Sequence, residues 1–82
     1  MVFVKYRATL AELTGKREER IEAQSIKDVL RYINAQYGKQ TEKEAKRMLI
    51  TVDSESILLR DGFKTRLNED SVVGFFPISG GG

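Results

Sequence analysis

The residues with most chemical promise close the chain, which reads Phe75-Phe76-Pro77-Ile78-Ser79-Gly80-Gly81-Gly82. Three of its seven glycines are the last three residues. Glycine loses the most conformational entropy on ordering, so an end selected for stability is not built this way. What it supplies is a slim peptide without side chains, finishing in a carboxylate. Fully extended, Ser79 to Gly82 spans roughly 13 Å, enough to enter a channel too narrow for a Cβ. Other chemistry is thinly provided for. There is no cysteine, which excludes disulfides, thiolate metal sites and thiol nucleophiles. There is no histidine, the commonest general base and metal ligand. The terminal carboxylate is therefore the candidate reactive group. The competing reading is a frayed tail without a role.

Eighty-two residues make one small domain, expected as a body over 1–77 and a mobile tail over 78–82. The apolar fraction of 40% and charged fraction of 32% are those of a soluble globular protein. No apolar run approaches the ~20 residues of a membrane span, and the start lacks the order of a signal peptide, so the expected location is cytoplasmic. Net charge is +2, divided as +4 over residues 1–47 and −2 over 48–82. That mild polarity suits a protein partner better than a nucleic acid or a membrane. Aspartate and glutamate alone favour weak, hard-cation sites, so no bound metal or cofactor is expected.

The elements that must carry the tail follow from periodicity. Val2, Val4, Tyr6 and Ala8 alternate with Phe3, Lys5 and Arg7, the pattern of a strand. Thr9 and Glu12 have capping-box spacing for a short helix that Gly15 stops. Lys16 to Ala23 is charged and reads as an edge strand paired with the first. Ser25 caps a helix to Tyr37 with one apolar stripe of Ile26, Val29, Leu30, Ile33 and Tyr37, and Gly38 ends it. Lys39 to Arg47 reads as a solvated loop, with at most one helical turn capped by Thr41 and Glu44. Met48 to Val52 is a strand ending in a turn cluster over 53–56. Ile57-Leu58-Leu59 is a short strand or packed loop. Val72 to Phe76 is the last strand, ended by Pro77. One amphipathic helix must lie across one face of one mixed sheet, with first and last strands central, adjacent and parallel. This is an α+β fold of the ubiquitin-like β-grasp kind.

Fold and tail together resemble the ubiquitin-like sulfur carrier family, in particular the small subunit of molybdopterin synthase (MoaD) and the small archaeal modifier proteins. The resemblance covers nearly the whole chain. It rests on Val2 to Ala8 followed by Leu10-Ala11-Glu12-Leu13-Thr14-Gly15-Lys16, on Ser25-Ile26-Lys27-Asp28-Val29-Leu30, on Leu67-Asn68-Glu69-Asp70-Ser71-Val72-Val73-Gly74-Phe75-Phe76-Pro77, and on the glycine tail. The chain departs from the family in four places. Ile78 replaces a second proline, and three glycines replace two. Asp53-Ser54 replaces a common Asn-Gly, and Arg7 stands where many members carry an aromatic or aliphatic docking residue.

The resemblance implies a carrier that is not itself an enzyme. A separate adenylyltransferase of the ubiquitin-activating type, using ATP and Mg²⁺, would activate the carboxylate of Gly82, or of Gly81 after trimming, with Gly80 and Gly81 as the slim approach. A thiocarboxylate would follow, its sulfur destined for a pterin precursor or tRNA, with the molybdopterin synthase large subunit as a further partner. The alternatives are conjugation of the same end to lysines of target proteins and a β-grasp interaction domain that is never activated. An RNA-binding use of Lys5, Arg7 and Phe3 is disfavoured by the interleaved acids. Free in solution, the chain is expected to be a monomer. Alternation sets Val2, Val4, Tyr6, Ile50, Val52, Val73 and Phe75 against the helix. Phe3, Lys5, Arg7, Leu49, Thr51, Val72, Gly74 and Phe76 then form the other face, on which exposed Phe3, Leu49 and Phe76 edged by Lys5 and Arg7 make the docking patch. Tyr6, Tyr32 and Tyr37 are expected as core or helix-face residues.

Overall fold

Alternation begins at the first strand. In the computed structural model, which describes residues 1–78, Val2 and Val4 of β1 (Val2–Lys5) are buried while Phe3 and Lys5 point away. The strand is shorter than its alternating pattern, because the chain reverses at Ala8. The φ of 52° there is a left-handed value that costs alanine about 1–2 kcal/mol. Helix α1 (Ala8–Thr14) starts at this residue, so the capping box expected on Thr9 and Glu12 does not form. Arg7 occupies the N-cap without a side-chain hydrogen bond, and its carbonyl accepts from the amides of Leu10 and Ala11. Burial of Leu10 sets this register, outweighing one hydroxyl cap on Thr9. Gly15, at φ 74°, closes the helix as expected, its N–H donating to Ala11 O at 2.9 Å.

Strand β2 (Glu18–Ile21) pairs antiparallel with β1 at the sheet edge, with Val2 opposite Ile21 and Val4 opposite Glu19. Helix α2 (Ile26–Tyr37) has a reciprocal cap. Ser25 Oγ accepts from the Asp28 amide at 3.3 Å, and Asp28 Oδ2 accepts from the Gln24 amide at 3.0 Å. Ile26, Val29, Leu30 and Ile33 bury its stripe, each contributing about 1.5–3 kcal/mol.

The segment after Gly38 is a correction. Lys39–Lys46 is a third helix, α3, and not a solvated loop. Gly38, at φ 99°, lets the chain break from α2 and start again. The buried face of α3 is only Thr41 and Ala45, too small to register as an apolar stripe. Thr41 Oγ1 donates to Tyr37 O at 3.1 Å, and Asn34 Nδ2 donates to Glu42 Oε1 at 2.9 Å, fastening the two helices.

Strand β3 (Leu49–Val52) turns at Asp53-Ser54, both left-handed at φ 50° and 73°, into β4 (Glu55–Ser56). The expected turn cluster over 53–56 is thus a tight hairpin whose second half pairs. Asp53 also ties the turn to the last strand. Its N–H donates to Val72 O at 2.8 Å, and its Oδ1 accepts from Val72 N at 2.9 Å. Ile57–Leu59 and Gly62–Lys64 are single 3-10 turns, the first settling the choice between strand and packed loop for Ile57 to Leu59. Strand β5 (Val72–Phe76) then enters the middle of the sheet, parallel to β1 and antiparallel to β3, in the order β2-β1-β5-β3-β4.

Every residue assigned to the inner face (Val2, Val4, Tyr6, Ile50, Val52, Val73 and Phe75) is buried. The architecture is the ubiquitin-like β-grasp, with helices on one side of a mixed sheet and the other side uncovered. Ile78 is the last described residue. The rest of the expected mobile tail, residues 79–82, lies outside the described residues.

Candidate functional site

Strands β1, β5 and β3 place the expected docking residues on the uncovered face. Gly74 lies between Lys5 on one side and Thr51 on the other, and Leu49 is the cross-strand partner of Phe76. Arg7 lies two residues beyond β1, and its side chain lies over β5. Its guanidinium carbon sits 4.0 Å from the centre of the Phe76 ring. Arg20 covers Phe3 in the same way at 5.2 Å. Phe3 and Phe76 are therefore half-buried beneath arginines and not openly exposed, a correction to the expected patch. Leu49 alone of the three apolar residues is exposed, at 37%.

The face holds a shallow depression of about 390 Å³, lined by Lys5, Arg7, Thr51, Ser54, Leu49 and Phe76 among others. Ser54 was missed by alternation because the left-handed turn, and not the strand, brings it there. An apolar hollow of about 240 Å³ continues the surface past Leu49 to Met48, Leu58, Phe63 and Ile78. Leu58 is 80% exposed and Ile78 63% exposed, so the start of the tail runs along an apolar rim. The candidate reactive residues Gly80, Gly81 and Gly82 lie outside the described residues.

The inner face carries a cluster that the sequence did not announce. Glu19, from the charged edge strand, turns inward and is 8% exposed. Its Oε2 accepts from Tyr6 OH at 2.8 Å and Tyr37 OH at 3.0 Å, and its Oε1 from Tyr32 OH at 2.9 Å, Tyr37 OH at 2.9 Å and Lys16 Nζ at 2.8 Å. Burial pushes the Glu19 carboxyl up, but the hydrogen bonds from Lys16 and the three tyrosines outweigh it and hold the group below its ordinary value. Burial first, and then the hydrogen bond to Glu19, raises all three phenols. Lys16 is raised chiefly by its hydrogen bond to Glu19. A carboxylate with every lone pair occupied and phenols harder to ionise than usual make a clasp, not an acid–base pair. Among the described residues, no group of acidic side chains could hold a metal ion. No described helix is long and apolar enough to cross a membrane.

The sequence from residue 4 to residue 82, glycine tail included, matches the ThiS family. The chain belongs to the ThiS family. No curated protein matches it by sequence. Among solved structures, the small archaeal modifier protein 1 of Methanosarcina acetivorans is 22% identical, with 99% of this chain and 95% of that one covered and a TM-score of 0.85. The BexX/CysO complex of Amycolatopsis orientalis includes a chain 12% identical, covered fully on both sides, at 0.84. A Pyrococcus furiosus protein carrying the name molybdopterin converting factor, subunit 1, is 26% identical, with 93% and 94% covered, at 0.73. As a ThiS family member, the chain is one of the ubiquitin-like sulfur carriers and modifiers. Such small carriers are generally non-catalytic.

Proposed function

We propose that this protein is a cytoplasmic sulfur carrier whose Gly82 carboxylate is adenylated by a separate ubiquitin-activating-type enzyme and converted to a thiocarboxylate. The observation that carries the reading is the family match running through Gly82 on a chain with neither cysteine nor histidine. A carboxylate is anionic and resonance-stabilised, so it is a poor electrophile until activated. Attack of a Gly82 oxygen on the α-phosphorus of ATP, with release of pyrophosphate, forms an acyl adenylate. A sulfur nucleophile, hydrosulfide in the simplest case, then adds to the carbonyl carbon and expels AMP. The enzyme provides the Mg²⁺ and the cationic clamp for the first step. This chain provides the slim end, and its uncovered sheet face is the docking surface. Phe76 is the link between the two, lying on that face at the end of β5 and six residues before Gly82. The acceptor of the sulfur is a pterin precursor or tRNA.

The test combines the full chain, ATP, Mg²⁺, sulfide and the activating enzyme, and reads intact mass. Exchange of one oxygen for one sulfur is expected. Formation of a lysine conjugate with no thiocarboxylate would replace the carrier reading by the modifier one, and no change under any condition would leave an interaction domain.

A further inference from the structure

The uncovered sheet face holds a guanidinium that is partly stripped of water and has no hydrogen-bond partner among the described residues. Arg7 lies across Phe76, and its Nη1 is sealed from solvent with no hydrogen-bond acceptor among the described residues. The seat exists because residue 74 is glycine. A Cβ there would stand 3.4 Å from Arg7 Nη1, 3.0 Å from Phe76 Cε2 and 2.8 Å from Thr51 Oγ1. Arg7 makes no ion pair within the described residues; nor does Lys5. The depression below them is lined by no carboxylate. Glu18, across from Lys5 on the edge strand, shares a neighbouring cavity with Lys5 and Arg7 but is within ion-pair distance of neither.

Resting on the carrier reading, we propose that the activating enzyme sets an aspartate or glutamate carboxylate against Arg7, above the Phe76 ring, with Lys5 as the second cation. Stacking holds the guanidinium plane in place, so its outward N–H groups form a ready fork for a carboxylate. Its position and part of its dehydration are already established in the free protein, which is what makes a contact tight on docking. An apolar partner surface would instead bury two unpaired cations.

The experiment titrates the purified activating enzyme of the same organism into the full chain by calorimetry without ATP, then adds ATP and follows adenylate formation. Arg7→Glu is expected to weaken binding by about tenfold or more, and Arg7→Lys and Arg7→Leu by several-fold each. Arg7→Gln, which keeps a planar polar group beside the ring and drops the charge, should fall with Arg7→Leu, so a disturbed Phe76 does not explain the loss. Wild-type binding should weaken with added salt more steeply than binding of Arg7→Leu. Changing one enzyme acid to arginine should restore binding of Arg7→Glu. If Arg7→Leu binds as tightly as wild type, the face is an apolar dock and the proposal is wrong. Arg7-dependent binding without adenylate would overturn the carrier chemistry and leave this contact standing. Absence of any binding by wild type overturns both.

Discussion

The hydroxyl of Tyr6 donates to Glu19 Oε2 at 2.8 Å, joining the residue that follows β1 to an inward-turned acid of the edge strand. With Tyr32, Tyr37 and Lys16 on the same carboxylate, Glu19 fastens β2 to β1 and to the C-terminal half of α2. Charge-assisted hydrogen bonds contribute about 1.5–3 kcal/mol each when well formed, though not additively. Glu19→Ala should therefore destabilise the protein by about 3 kcal/mol and Glu19→Gln by roughly half that. Thermal denaturation reads this as a fall of order 10–20 °C for alanine. A loss within a few tenths of a kcal/mol would reduce the cluster to surface decoration.

The same cluster sets the pH range of stability. The Glu19 carboxyl is held below its ordinary value, so its stabilisation is complete above that value and lost as pH falls through the depressed one. The phenols and Lys16 are raised, so their contribution is complete below pH about 10 and lost as pH climbs through the raised values. A plateau between about pH 5 and 9 is expected, with Glu19→Gln flatter at the acid end. All three tyrosines of the chain sit in the cluster, so phenolate absorbance reports on it alone. Their ionisation should be delayed beyond pH 10 and should coincide with unfolding. Tyrosines that ionise near pH 10 in a still-folded protein would contradict the geometry.

Gly74→Ala should disturb the uncovered sheet face from below. The added Cβ meets Thr51 Oγ1 at 2.8 Å, closer than real side chains sit, and crowds Arg7 and Phe76. A loss of about 1–2 kcal/mol is expected, with Arg7 displaced from its ring in side-chain NMR. Thr51→Ala added to Gly74→Ala should recover part of it, and a double-mutant cycle showing no coupling would refute the contact.

The length of the tail should matter to chemistry and not to docking. Removal of Gly82 tests whether Gly81 replaces it, whereas removal of both should stop thiocarboxylate formation and leave enzyme affinity within about twofold, since Phe76 and Arg7 are untouched. One alanine added after Gly82 should likewise block activation. Conversion of the doubly shortened chain, read by intact mass, would rule out the carrier reading.

How far the fold could be read varied with how large its signals were. The α2 stripe of Ile26, Val29, Leu30 and Ile33 and the alternation through β1, β3 and β5 involve big apolar side chains, and these placed the core and both sheet faces correctly. Helix α3 was missed because Thr41 and Ala45 bury too little surface to show a period. On the uncovered face, alternation could state which residues share a side but not that Arg7 and Arg20 would fold down over Phe76 and Phe3. Glu19 looked like an edge-strand charge. Its tyrosine partners come from positions 6, 32 and 37, and no local pattern links them.

The middle place of β5 in the sheet sets the order of synthesis against the order of assembly. While the domain is being made, β1 with β2 and β3 with β4 are available as two separate antiparallel pairs, facing each other across a vacant slot. Only the last strand of the domain can fill it, and it does so by pairing with a segment some seventy residues earlier. Such distant pairing makes closure late and cooperative. A fragment ending before Ser71 would retain that slot, and a peptide covering the missing strand has the shape to complete it, so the domain divides naturally into a split pair at the loop before β5.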